Sequence, residues 1–286
     1  MLLGADIQRL MCPQCRAPLA ASTQHMDDKA VWRPQSIRCA GCGTTWPIQA
    51  NFLQLYQETQ VKGNDRLLRL FYNGLPRLHN PTVRYVLPLL QFGTEKTLRD
   101  GYMRRLNLAG LQPRKDGQPL RILEVGVGGG ANLPLLMRDL PRGLNVEIWG
   151  LDLAVGMLQE ARRLVKKKCW NHIRLLLSDA HALPFADHSF DRVFHVGGIG
   201  GYSDPAKAMA EMARVARPAT PVVVCDEQLD AKKRNGLYHK AMFKALTFYD
   251  KDPHCPREFV PTDATDVVEE QVSRFYYCLS FRTAQA

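Results

Sequence analysis

Four glycines fall within five residues, Gly126-Val-Gly-Gly-Gly130, directly after a short apolar run, Ile122-Leu-Glu-Val125. Glycine lets backbone N–H groups approach a ligand closely, and the N-terminus of a following helix favours negative charge. That is the chemistry of a nucleotide-type site, although glycine runs also make plain tight turns. Spacing sharpens the reading. Asp152 closes the next apolar run, Val146–Leu151, 22 residues past Gly130. An acid about 20 residues on, at the end of the following strand, can accept hydrogen bonds from ribose hydroxyls. Two further runs end in polar groups: Ile173–Leu177 in Ser178-Asp179-Ala180, and Phe190–Val196 in Gly197-Gly-Ile-Gly-Gly201. His195 stands just before that second glycine cluster and is a candidate general base, because histidine titrates near neutral pH. His181 and His239 are alternatives, and a lone histidine is often structural.

A second set of residues is sulfur chemistry. Cys12-Pro-Gln-Cys15 and Cys39-Ala-Gly-Cys42 are paired knuckles with 23 residues between Cys15 and Cys39. Such pairs can set four thiolates tetrahedrally around zinc, leaving no open position, so the metal would be structural. A disulfide reading needs an oxidising compartment, and a redox reading needs one motif at a helix start rather than two. Cys169, Cys225, Cys255 and Cys278 are isolated. His254-Cys255 lies in a loop between prolines, as a pocket lining, a metal ligand pair or a pair with no role.

The elements that would position these residues follow from hydrophobic period. Strands are expected at 122–127, 146–151, 173–177, 190–196, 221–225 and 272–280. Helices are expected at 131–140, 155–168, 205–217 and 236–248. Upstream, Leu67, Leu68, Leu70 and Phe71, then Leu98, Tyr102, Met103 and Leu106, recur at helical spacing. Tyr72 and Tyr102 are candidate ligand contacts or aromatic core residues. Strand–helix alternation implies a parallel sheet with helices on both faces and ligands at the carboxyl ends of the strands. Residues 58–64 read as a hinge. The division expected is a zinc ribbon over 1–58, a helical lid over 59–118 and a cofactor-binding domain over 119–286.

The series Leu123–Gly130, Gly150–Leu158, Ser178–Ala180 and Leu183–Asp191 resembles the class I S-adenosylmethionine (SAM) methyltransferases. Among them it is most similar to the methyltransferases of ubiquinone and menaquinone biosynthesis and their small-molecule relatives, over roughly residues 65–225. A dinucleotide site usually reads Gly-x-Gly-x-x-Gly. Here Gly126, Gly128 and Gly130 alternate behind Glu124, which favours SAM. The resemblance implies an α/β, Rossmann-like sheet and a set of roles. Glu124 would engage the methionine amino group, directly or through water. Gly126, Gly128 and Gly130 would give backbone access, and Asp152 would hold the ribose hydroxyls. Leu153 and Met157 would flank the adenine, with Asp179 accepting from its amino group beside Ala180. His195, Val196 and Gly197 would border the methyl group, and Tyr72 would contact the cofactor from the lid. The family's lid carries a Tyr-Asp element where this chain has Tyr72-Asn73. Residues 8–57 are similar to a short zinc-ribbon family that also occurs as a free activating subunit of RNA and protein methyltransferases.

The chain has 286 residues, 45% hydrophobic and 23% charged, which is ordinary for a globular protein. No run approaches the roughly 18 apolar residues of a membrane span, and the start lacks a basic segment followed by a long apolar one. A cytoplasmic location is the expectation. The net charge of +10 admits a nucleic-acid partner, but the basic residues are spread along the chain. Methyl transfer to a small, apolar or aromatic acceptor is the function expected, with the acceptor atom open. The alternative is an RNA or protein methyltransferase that docks its substrate on the ribbon. Against it, the Asn/Asp-Pro-Pro-Tyr-type motif of base-amine methylating enzymes is missing after the fourth strand, where Val196-Gly-Gly-Ile-Gly-Gly-Tyr202 stands. A third reading is a non-enzymatic scaffold, which the intact glycine turn and Asp152 argue against. Oligomeric state is not set by the sequence.

Overall fold

The computed structural model describes residues 2, 4–20, 36–81 and 95–285. A one-turn helix α1 (Gly4–Ile7) precedes a three-stranded meander, β1 (Ser36–Arg38), β2 (Thr45–Gln49) and β3 (Phe52–Leu55). Three helices follow: α2 (Gly63–Gly74), α3 (Pro76–Pro81) and α4 (Glu95–Leu106). The alternating part then runs β4 (Leu120–Val125), α5 (Leu133–Asp139), β5 (Val146–Asp152), α6 (Val155–Lys167), β6 (Ile173–Ser178) and β7 (Arg192–Val196). It ends in α7 (Pro205–Val215), β8 (Pro221–Glu227), α8 (Leu237–Leu246), β9 (Thr265–Gln271) and β10 (Tyr276–Arg282).

The ten strands form one sheet in the order β1-β2-β3-β6-β5-β4-β7-β8-β10-β9. β6, β5, β4, β7 and β8 are parallel, and β10 lies antiparallel between β8 and β9. Central strands buried on both faces lose polar alternation. Accordingly β6 is buried at all six positions, and β4 at five of six. One face packs under α7 (Ala208, Met209, Met212, Val215) and the amino-terminal meander. The other packs under α4, α5 and α6, through Met103, Leu133, Leu136, Leu158 and Ala161. The expected α/β architecture is therefore present.

Three elements depart from expectation. β9 was not anticipated, because Thr265-Asp-Val-Val-Glu-Glu-Gln271 is an exposed edge strand without a clean apolar face. The late strand starts at Tyr276 rather than 272, because Val272 and Ser273 turn back, their N–H groups both donating to Tyr276 O. The 58–64 segment is tied down: Val61 is buried, and Glu58 pairs with Arg69 of α2 at 2.7 Å.

The meander does not hang from the sheet; it extends it. β3 pairs in parallel with β6 through Gln54↔Leu177 and Leu55↔Ser178. Asp6 of α1 accepts from Arg174 Nε of β6 at 2.6 Å, with the side chains 2% and 8% exposed. Arg16 pairs with Glu211 of α7 at 2.7 Å. A buried ion pair is weak evidence for net stability, but removing one partner strands the other charge. Asp6→Ala is expected to cost about 3–5 kcal/mol in urea denaturation. A loss below about 1 kcal/mol would show that Arg174 finds water or another acceptor.

Candidate functional site

The two knuckles are built alike. Cys12 N donates to Ala17 O and Arg16 N to Cys12 O, at 2.8 Å each. In the second, Cys39 N donates to Thr44 O at 2.8 Å and Gly43 N to Cys39 O at 2.9 Å. Each turn closes through a left-handed residue, Arg16 at φ 62° and Gly43 at φ 76°. This repeat brings all four sulfurs within 4.8 Å of one another, with Cys12–Cys42 at 3.7 Å and Cys15–Cys39 at 3.6 Å. A tetrahedral zinc about 2.3 Å from each sulfur requires sulfurs about 3.8 Å apart. The residues fit that ion. Gly41 leaves room for it: a Cβ there would lie 2.7 Å from Ala17 Cβ and 3.3 Å from Cys15 Sγ. These four cysteines are the one such ligand cluster among the described residues. His254-Cys255 does not join one; His254 Nε2 bonds Glu258 at 2.9 Å, and Cys255 is buried.

Sheet order places the other candidates. Asp179 follows β6, Asp152 ends β5, the glycine turn follows β4, and His195 and Val196 end β7, side by side at the carboxyl ends. Gly126, Gly128 and Gly130 take φ values of 71°, 52° and 78°, where a side chain is strained. Asp152 braces this turn. Its Oδ2 accepts from Gly128 N at 2.9 Å and its Oδ1 from Ala154 N at 2.8 Å. Burial lifts its carboxyl to about 6, against the pull of those backbone donors. Each oxygen keeps a lone pair for a further donor. Met157 and Ala180 are buried beside it, and Leu153 and Val196 half-buried.

Glu124 is fully buried. Its Oε1 accepts from Asn132 Nδ2 at 2.6 Å, and its Oε2 has no partner among the described residues. Asn132 Oδ1 in turn accepts from Tyr102 OH at 2.6 Å and Arg99 Nη1 at 2.5 Å. Burial raises the Glu124 carboxyl to about 8, with Asn132 and the Arg99 charge opposing. Tyr102 thus belongs to the core and to this network. Asn132 and Arg99 were not read from the sequence, since neither sits in a motif.

His195 Nδ1 donates to Val125 O at 2.8 Å, which leaves Nε2 as the acceptor. Nε2 is buried without a partner among the described residues, and burial holds the ring below the usual histidine range. The neutral form with an open Nε2 lone pair is what a proton acceptor requires. The ring packs 5.3 Å from Tyr202 and explains Gly126, where a Cβ would meet it at 3.1 Å. The alternatives are otherwise employed. His181 Nδ1 donates to Asp179 Oδ1 at 2.6 Å; burial pushes the Asp179 carboxyl up, but this contact outweighs it and leaves it low. His239 Nδ1 accepts from Gly236 N at the start of α8.

The lid meets the site through α2. Asn73 Oδ1 accepts from Gly156 N at 2.8 Å, docking α2 on the first turn of α6. Tyr72 is half-buried, and burial with the nearby charges of Glu227, Asp152 and Asp226 pushes its hydroxyl up. Asp226 and Glu227, at the end of β8, were also missed; two acids directly after an apolar strand were the available signal. Asp226 accepts from Gly198 N and Gly200 N at 2.8 and 2.9 Å and so shapes the second glycine loop. Glu227 accepts from Tyr249 OH at 2.8 Å and Tyr276 OH at 3.2 Å. Of the aromatics in and after α8, Tyr249 reaches Glu227. Phe243 packs on Phe275, while Tyr238 and Phe248 are turned outward.

Residues 123–224 match the family model of a methyltransferase domain. The fold is the Rossmann-like methyltransferase fold. The demethylmenaquinone methyltransferase of Thermus thermophilus is 33% identical over 55% of this chain and 66% of its own length. The phosphatidylethanolamine N-methyltransferase of Cereibacter sphaeroides is 35% identical over 36% of the chain and 49% of its own length. The chain thus spans less than two thirds of these relatives. The Haemonchus contortus phosphoethanolamine N-methyltransferase 2, solved with phosphomonomethylethanolamine and S-adenosylhomocysteine, superposes with a TM-score of 0.56 at 15% identity, over 76% of this chain and 60% of its own. No helix among the described residues is long and apolar enough to cross a membrane.

The cysteine geometry generates an expectation of its own. Purified protein should carry one zinc per chain by elemental analysis, and Cys39→Ser should lower that content and melt the meander first. Protein kept free of chelators that holds far less than one zinc would contradict this.

Proposed function

We propose that this protein is a SAM-dependent methyltransferase acting on a small, apolar or aromatic acceptor, with a structural zinc in its ribbon. The observation that carries the reading is Asp152. Its carboxylate holds Gly128 and Ala154 by their N–H groups and keeps spare acceptor capacity toward ribose hydroxyls. The methyltransferase match over residues 123–224, and relatives named for quinone and phospholipid acceptors, support it.

When bound, SAM supplies an electrophilic methyl group on a sulfonium. The chain's task is then to bind and align. Glu124 Oε2, buried without a partner, meets the methionine ammonium. Asp152 holds the ribose, Leu153 and Met157 flank the adenine, and Asp179 with Ala180 receives its amino group. Val196 and Tyr72 close the space toward the methyl group. In-line transfer draws much of its rate from proximity and orientation. Where the acceptor must lose a proton, His195 Nε2 takes it.

An RNA or protein substrate remains the competing reading. Asp226 and Asp250, which lie against the second glycine loop, disfavour a phosphate-rich acceptor there. Labelled SAM offered to total RNA and to phenols, quinols and thiols decides between them. Salt-sensitive labelling of RNA without small-molecule turnover would overturn the small-acceptor reading.

Asp152→Ala is expected to weaken SAM binding by about 1–3 kcal/mol in calorimetry, through lost charge-assisted hydrogen bonds. The wild-type protein adds a pH signature. The folded carboxyl titrates near 6, above the ordinary carboxylate range, so the ionised acceptor is lost as pH falls through that value. SAM affinity is therefore expected to drop about tenfold per pH unit below 6. Unchanged affinity in Asp152→Ala would remove the ribose role.

A further inference from the structure

The large exposed apolar side chains among the described residues are Leu67, Leu70 and Phe71 of α2, Leu75 at its C-terminal cap, Leu237 and Tyr238 of α8, and Phe248 just beyond it. Their exposure runs from 45% for Tyr238 to 89% for Leu237. On α2 the spacing i, i+3, i+4, i+8 draws a single outward stripe, while Asp65 and Leu68 are buried on the opposite side. α8 buries no residue completely; Phe243 faces Phe275, and Tyr238, Ala241 and Ala245 face solvent. The segment just beyond α8 meets α2. The Phe71 and Phe248 rings meet at 5.6 Å, and Asn64 Nδ2 donates to Tyr249 O at 2.6 Å.

Cations dominate the rim of this surface, where the exposed acid Glu58 is already paired with Arg69. Lys62 and Arg66 are exposed around α2, and Lys232, Lys240 and Lys244 around α8. No Asp or Glu occurs from residue 231 to 249. The acid of α2, Asp65, is turned inward, where it accepts from Ser203 N at 3.2 Å.

We propose that the outer faces of α2 and α8 dock on an anionic lipid bilayer. Protruding leucines and aromatic rings enter the boundary between headgroups and acyl chains, while lysine stems lie along the apolar surface with their ammonium groups on anionic headgroups. Other occupants fit less well. A second copy of this chain would bring the same positive rim against itself. Nucleic acid would match the charge, but four of the seven exposed side chains are leucines, which give bases no stacking platform. Because α2 also carries Tyr72 and Asn73 against the site, docking sets the lid at headgroup level. An apolar acceptor dissolved in the bilayer then reaches the site without crossing water. The docking face rests on the outer sides of two helices and is independent of the cofactor reading.

The test is sedimentation of the full-length protein with vesicles of phosphatidylglycerol and phosphatidylcholine, against phosphatidylcholine alone. Binding is expected to the anionic vesicles only, weakening about tenfold or more between low and high salt. Two surface double variants, Leu70→Ser with Leu237→Ser and Lys240→Glu with Lys244→Glu, should each lower partitioning by about tenfold with near-ultraviolet circular dichroism unchanged. Wild-type protein that stays in the supernatant with anionic vesicles overturns the proposal without recourse to any variant. So does undiminished binding by both variants, preference for an RNA oligonucleotide in competition, or a dimer that Leu70→Ser dissociates. SAM calorimetry on the same samples reads separately: lost SAM binding would sink the methyltransferase reading and leave the vesicle result standing.

Discussion

The grip of Asp152 on two backbone N–H groups is the contact on which the site depends. One oxygen holds Gly128 in the turn after β4; the other holds Ala154 at the entrance to α6. The first turn has little side-chain packing to keep its shape, because four of its five residues are glycines. An acid at that point fixes two adjacent strand ends and leaves acceptor capacity facing outward. The cost is a carboxylate with little water, visible in its raised titration point. The same economy recurs at Asp226, which shapes the second glycine loop through Gly198 and Gly200.

Much of this was legible in the residues. The glycine turn, Asp152, Asp179 and the paired cysteine knuckles announce themselves by spacing, because backbone geometry and ligand count leave few other residue types. The parallel sheet was readable for a related reason: strands such as Ile173–Ser178 are apolar throughout, as burial on both faces demands. What stayed hidden depends on contacts between distant segments. Asn132 and Arg99 acquire meaning only when α4 lies over α5 and presents them to Glu124. Tyr238 and Phe248 stand outward, and that too is set by tertiary placement rather than by local pattern. The edge strand β9 escaped because edge strands need no apolar alternation.

The ribbon and the sheet are less separable than their sequences suggest. Paired C-x-x-C knuckles are commonly a self-contained unit folded around an ion, since so small a core cannot hold itself. Here the last strand of the unit is spent on the sheet. The ion pair of Asp6 with Arg174 and the contact of Arg16 with Glu211 add a second and third seam.

That seam changes what kind of object the remaining chain would be without it. β6 is the outermost strand of the parallel set, and every one of its residues is buried. Its outer row of N–H and C=O groups faces β3 at Gln54 and Leu55. Bare, a flat apolar strand at the rim of a sheet is a template for the next molecule's strand. The amino-terminal meander is therefore a hem: it finishes a raw edge, and cutting it away would expose a strand that recruits copies of itself.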